Sequence, residues 1–266
     1  MTTEEILKAM ILKNNSLFNS LGVKLVMVYN PITEVTDEAV IKKNPPINSC
    51  CFNAKSDDGK VFVDSKYLDE WKPEIFGFRD WGKINSILSM FPKDFNLNAK
   101  KDTHNSLSIL TFLSDDVKVK HCLQAKRFIK IQEESNGEYK NAKFALKSVN
   151  NSNVVFNSDI IRQMSRASSI LDEKQFKFVI EEDKLYAVFG EDSLSTDNIK
   201  ILIGMFNSDL SSMSESQPFP FESFSAVLKN YNNMSGQNYF NISPALISVT
   251  NVDDKLITTT IIRTRS

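Results

Sequence analysis

The sequence predicts an α+β chain in which one module is written twice, each copy an antiparallel sheet with two helices. Three observations predict it. The stretches FGFRDWGKINSIL, from Phe76, and FPFESFSAVLKNY, from Phe219, share the order aromatic-x-aromatic-x-x-aromatic-x-x-aliphatic. The residues are Phe76, Phe78, Trp81 and Ile84 in one and Phe219, Phe221, Phe224 and Val227 in the other. Near the start of each half, EILKAM (5–10) and DIIRQM (159–164) agree position by position: acid, Ile, aliphatic, base, any residue, Met. Near the end of each half, LSILTFLSDDVKVKHCLQAK (107–126) faces ALISVTNVDDKLITTTIIRTR (245–265). In both, an apolar run reaches an Asp-Asp turn and an alternating run leaves it, as in a hairpin. Matched segments in one order mark a duplication, which decides the fold before any single element does.

Each element follows from its local pattern. In the first helix of the first half, Ile6, Leu7, Met10 and Ile11 share a face; in the second half Ile160, Ile161, Met164 and Leu171 do so. Ser158 is placed to cap the latter helix. The strands GVKLVMVY and KVFVDS follow in the first half, and QFKFVIEEDKLYAVFGE and NIKILIGMF in the second. FKFVI and LYAVFG alternate around EEDK, a β-hairpin. The aromatic stretch opens the second helix of each half. Trp81, Ile84, Ile87 and Leu88 recur at helical spacing, as do Phe224, Val227, Leu228 and Tyr231, and Pro92 ends the first of these helices. The three rings are expected to root that helix in the core. The Pro-bearing stretch 30–50 absorbs the extra length of the first half as a loop or long hairpin. The polar stretch 132–153 reads as a linker, leaving modules over 1–131 and 154–266.

Composition excludes several classes. The chain has 266 residues, 41% hydrophobic and 24% charged, ordinary for a soluble globular protein. Lys and Arg number 32 against 33 Asp and Glu, so no global basic excess points to nucleic acid, and any such contact must be local. The start, MTTEEILKAM, is not a signal peptide, and no apolar run reaches the roughly 18 residues of a membrane span. Three cysteines, Cys50, Cys51 and Cys122, do not make a disulfide framework. They are expected as small buried hydrophobes in a reducing cytoplasm. Catalytic machinery is not in view. There is no phosphate-binding glycine motif and no H-E-x-x-H. His104 lies in a polar turn, and His121 and Cys122 are strand neighbours that point to opposite faces. The pairs Asp57-Asp58, Asp115-Asp116 and Asp253-Asp254 sit in turns, where a raised pKa is not expected. No enzyme activity, metal or cofactor is expected.

What remains is charge on the helices. Lys8 lies opposite the apolar stripe of the first helix, with Lys13 further on; Arg162 and Arg166 stand a turn apart in the second half. Aligning EILKAM with DIIRQM puts Lys8 and Arg162 at one repeat position. The second helices carry Arg79 and Lys83, and Lys229. The acids fall more in strands and turns. Basic helix faces on an otherwise acidic remainder suit a protein that surrounds a phosphate backbone without gripping bases.

These features together resemble a known family. SDIIRQMSRASSILDEKQFKFVIEEDKLYAVFG, FRDWGKINSILSMF and LSILTFLSDDVKVKHCLQAK look like segments of the DNA sliding clamps, most closely those of T-even-type tailed bacteriophages. The resemblance spans nearly the whole chain through the order and duplication of its segments. It implies the ring-forming DNA-clamp fold, a homotrimer of six modules with helices lining the channel. It implies loading by a clamp loader, tethering of the replicative polymerase, and a role in late transcription. Lys8, Lys13, Arg79, Lys83, Arg162, Arg166 and Lys229 would then face double-stranded DNA. A partner-peptide pocket would involve Phe144, Leu146 and Pro244. Ring closure would pair a strand near NIKILIGMF with one near LTFLSDD or VKHCLQAK. Two other readings stay open: a monomeric clamp-like binder holding DNA on an open face, and a duplicated interaction scaffold with no role on DNA.

Overall fold

A computed structural model describes residues 2–29, 49–68, 76–91, 94–104, 106–125, 156–191, 197–205 and 214–264. Two compact units divide the chain. Unit 1 holds Met1–Ile131 with Val252–Thr258; unit 2 holds Gln132–Asn251 with Thr259–Ser266. Stretch 30–48, the whole linker 132–153 and Pro92 lie outside the described residues.

In unit 1 the order is α1 (Thr3–Ser20), β1 (Leu25–Tyr29), β2 (Ser49–Lys55), β3 (Val61–Leu68), β4 (Phe76–Arg79), α2 (Trp81–Ser89), β5 (Asn96–Lys101), β6 (Leu107–Leu113), β7 (Lys118–Cys122) and β8 (Gln124–Ala125). Its strands run β3-β2-β1-β4-β8 in one sheet and β5-β6-β7 in another. Unit 2 has α3 (Ser158–Leu171), β9 (Gln175–Glu181), β10 (Lys184–Phe189), β11 (Ile199–Met205), β12 (Phe219–Pro220), α4 (Phe221–Asn233), β13 (Gln237–Ile242), β14 (Leu246–Asp253) and β15 (Leu256–Arg263), the last two less their connecting stretch 252–258, which belongs to unit 1. Its strands run β11-β10-β9-β12, and then β13-β14-β15. The second order repeats the first element for element, with β8 as the addition. The expected duplicated α+β architecture is therefore what the chain forms.

Each first helix begins at a side-chain cap. In α1 the Glu5 backbone N–H donates to Thr2 Oγ1 at 3.2 Å, and the Thr2 N–H to Glu5 Oε2 at 2.7 Å. In α3 the cap is Asn157, which accepts from the Ile160 N–H at 2.9 Å. The expected Ser158 is instead the first helical residue. An Asn side chain serves there equally well, and the hydrophobic pattern alone does not separate neighbouring polar residues.

The aromatic stretches do root the second helices. Phe76, Phe78, Trp81, Ile84, Phe219, Phe221, Phe224 and Val227 are all buried. In unit 1 the Trp81 ring meets Phe18, Phe52 and Phe78 edge-on. In unit 2 Phe176 and Phe178 pack with Phe219 and Phe224, and Phe156 with Phe240. This is where the abundant Phe of the sequence goes.

The two stretches are nevertheless not in the same structural register. Val26 of β1 pairs with Phe78, and Phe176 of β9, the corresponding strand position, pairs with Phe219. At the helix starts, the Trp81 N–H donates to the Lys24 carbonyl at 3.1 Å and the Phe221 N–H to the Lys174 carbonyl at 2.9 Å. Phe78 and Trp81 thus stand where Phe219 and Phe221 do. Unit 1 spends an extra residue, Asp80 at φ 62°, between strand and helix. The pattern slid because both a strand step of two and a helix step of three return to the same face.

Candidate nucleic-acid interface

The helices pack in pairs, α1 with α2 and α3 with α4, so each unit presents an outward helix face whose charge is set by a few residues. In unit 2, Arg162 and Arg166 of α3 and Lys229 of α4 are exposed. Arg162 is held a turn back by Asp159 at 2.8 Å. Arg166 and Lys229 make no ion pair among the described residues. Arg162 and Lys229 come together along a groove of about 340 Å³ between α3 and α4, with Ser158, Ser165, Asn232 and Asn233. Asn232 is anchored, its Nδ2 donating to the Phe156 carbonyl at 3.1 Å.

Unit 1 differs. Arg79 and Lys83 are exposed, and Lys83 lies 3.4 Å from Asp80. Lys8 and Lys13 do not join them. Lys8 donates to Asp94 and to the Phe95 carbonyl, and its ammonium sits 4.9 Å from the Phe95 ring centroid. That hydrogen bond, with the Phe95 N–H, holds the Asp94 carboxyl below its usual range. Lys13 is 10% exposed and bonds Asp253 at 2.9 Å. Both ammonium groups are turned to carboxylates of their own unit, not to the open helix face expected for them.

The matched placement of Lys8 and Arg162 also changes. Counted back from the strand that follows each helix, at Leu25 and Gln175, Ile11, Asn14 and Leu17 stand opposite Ile161, Met164 and Ala167, and all six are buried. Leu12 and Ser16 then stand opposite Arg162 and Arg166, all exposed. The sequence match had slipped by one helical turn, since α1 is a turn longer, 18 residues against 14. The segregation of charge is likewise partial: Lys100, Lys101, Lys118 and Lys120 stand on β5 and β7, and all four are exposed.

Other expectations resolve residue by residue. Pro244 is exposed in the turn between β13 and β14, its carbonyl accepting from the Gln217 N–H at 2.8 Å; Phe144 and Leu146 lie outside the described residues. Cys122 is exposed, not buried, because β7 turns His121 to the core and its neighbour outward. The LTFLSDD strand, β6, is flanked on both sides by β5 and β7 and is no edge. Sequence reasoning missed Ser158, Ser165, Asn232 and Asn233 as members of the groove. Their signal was the Ser spacing beside Arg162 on one face of α3. Among the described residues no group of three or more His, Cys, Asp or Glu could hold a metal, and no helix is long and apolar enough to cross a membrane.

Two copies of a helix-pair-on-sheet module, in one strand order over the length of the chain, make the fold that of the DNA sliding clamps. The solved structures similar to it bear this out. The PCNA2–PCNA3 complex of Sulfolobus tokodaii matches with a TM-score of 0.55 at 11% identity, over 95% of this chain and 96% of that one. PCNA from Thermococcus kodakaraensis matches at 0.55 and 13%, over 100% and 98%. Proliferating cellular nuclear antigen from Entamoeba histolytica matches at 0.56 and 9%, over 97% and 96%. No protein-family model and no curated protein matches the chain.

Proposed function

We propose that the protein is a sliding clamp: a non-enzymatic ring of identical chains that encircles duplex DNA and tethers a replicative polymerase. The observation that carries this reading is the duplicated module, in the clamp strand order, over the whole chain. Retention by a closed ring is topological, so phosphate contacts can be few and exchangeable. The exposed cations Arg79, Lys83, Arg162, Arg166 and Lys229 suffice for that. Ring closure falls to strands at the ends of their sheets, β11 of unit 2 and β7 of unit 1. On β11, Leu202 is 51% and Met205 62% exposed, apolar surface suited to burial against another copy. A trimer gives six modules, as the resemblance to T-even-type clamps implies; it also implies a clamp loader and a role in late transcription. Pro244 is the described member of the proposed partner-peptide pocket.

The test is retention on circular DNA. With a clamp loader and ATP, the protein should stay on a nicked circle through gel filtration at moderate salt and be released when the circle is cut. Release that does not depend on cutting refutes topological retention. Light scattering across a concentration series should approach three times the chain mass.

A further inference from the structure

We infer that contact with the DNA backbone is asymmetric within the chain: unit 2 carries a seat for a phosphodiester group between α3 and α4, and unit 1 has that space bridged, with uncharged residues where Arg162 and Lys229 stand. This rests on the clamp reading and deepens it. The groove in unit 2 gathers hydrogen-bond donors of the kinds a phosphate takes: the Arg162 guanidinium, the Lys229 ammonium, the Ser158 hydroxyl, and the amides of Asn232 and Asn233. No carboxylate lines it. The one nearby is Asp159, paired with Arg162 at 2.8 Å, with both side chains well exposed. An exposed pair of that kind is weak, so an arriving phosphate can displace it.

Unit 1 shows what closes the space. Aligned from the strands that follow the first helices, Ser165 corresponds to Asn15; aligned from the helix starts at Trp81 and Phe221, Ser225 corresponds to Asn85. In unit 1 those two asparagines meet. Asn15 Nδ2 donates to Asn85 Oδ1 at 2.9 Å, and Asn15 Oδ1 accepts from Trp81 Nε1 at 3.2 Å. The bridge ties α1 to α2 across the groove position. In unit 2 the shorter Ser165 turns back to its own helix, its Oγ donating to the Ile161 carbonyl at 2.9 Å. The cations differ in the same sense. Leu12 and Ser89 stand where Arg162 and Lys229 do, all four exposed. Shape and charge therefore change together, which a general scatter of surface lysines does not do. A ring of three chains would hold three seats, one per unit 2.

The experiment is fluorescence anisotropy of a labelled duplex titrated with the full chain at several salt concentrations. Arg162→Gln with Lys229→Gln should weaken binding and lower the salt slope by about 1 for each phosphate no longer neutralised. Ser165→Asn leaves charge unchanged and fills the groove; it should also weaken binding severalfold. Leu12→Arg with Ser89→Lys supplies charge to the bridged unit 1 and should restore less than the double Gln variant forfeits. If Ser165→Asn does not fold, Asn233→Ala, at an exposed position, removes a neutral donor from the same groove and should weaken binding. A groove variant that binds like the wild type while the double Gln variant weakens overturns the seat and leaves diffuse charge in its place. A wild-type chain that binds no duplex at low salt also overturns the seat, whereas the clamp reading fails only if release from a nicked circle does not depend on cutting.

Discussion

Between pH 7 and pH 5, protonation of His121 should destabilise unit 1. The ring lies in the core, 8% exposed, stacked on Phe78 with centroids 6.3 Å apart and planes at 22°. Its Nε2 is buried without a hydrogen-bond partner. Burial, and then the charge of Lys83, pull its pKa below the usual 6.5, against a smaller opposite pull from Asp80. The folded chain therefore keeps this imidazole neutral at a pH where the unfolded chain protonates it. The unfolded state then binds more protons, so stability rises with pH and falls as pH drops below about 6.5, levelling once the folded state also protonates. Within that window one group removes at most about 1.4 kcal/mol per pH unit. The assay is urea unfolding of the wild type and His121→Leu at pH 8, 7, 6 and 5. Carboxylates titrate in both proteins, so they cancel in the difference between the curves. His121→Leu should lose less stability than the wild type between pH 7 and pH 5. Parallel curves over that range would refute the reasoning. Because β7 is the proposed closing edge, the same protonation should also lower the mass seen by light scattering at pH 5.

Three further outcomes follow from packing. Trp81→Ala removes a fully buried ring and its bond to Asn15, and urea unfolding should show a loss of roughly 3–5 kcal/mol. Gly190→Ala places a Cβ 2.4 Å from the Asp197 carbonyl oxygen at φ 80°, so thermal melting should fall by several degrees; an unchanged melting temperature would mean that this turn relaxes freely. Leu202→Glu puts a carboxylate on the exposed face of the β11 edge. It should reduce the mass at high concentration toward one chain without lowering the melting temperature at dilution, and an unchanged mass would remove β11 from the ring contact.

The duplication was legible in the sequence because burial writes it. Ile161, Met164, Phe219 and Phe224 must be apolar for α3 and α4 to pack on their sheet, and their spacing shows in one dimension. The EEDK hairpin was legible for the same reason, and its turn falls at Glu182 and Asp183, both at positive φ. Register was not legible. A helix returns to the same face after three or four residues, so EILKAM and DIIRQM align as well one turn out of step as in step. Only the strand that follows each helix pins them, and that pairing is a long-range fact. The partners of Lys8 and Lys13 were hidden likewise, since Asp94 and Asp253 lie far along the chain. An exposed-face pattern marks where a lysine starts, not where its long side chain ends.

That hidden pairing bears on the proposed hold on DNA. A binder that grips duplex on an open surface needs many free cations, since each phosphate neutralised adds to affinity. Here the net charge is −1, Lys8 and Lys13 are tied to carboxylates, and Leu12 occupies an exposed site whose counterpart is an arginine. So thin a cationic helix face serves an open binder poorly. It serves a closed ring well, because topology supplies retention and strong contacts would only slow sliding. The two cases part experimentally at one step. On a linearised duplex with free ends, an open binder keeps its salt-dependent affinity, whereas a ring held only by topology runs off at any salt that its few phosphate contacts cannot withstand.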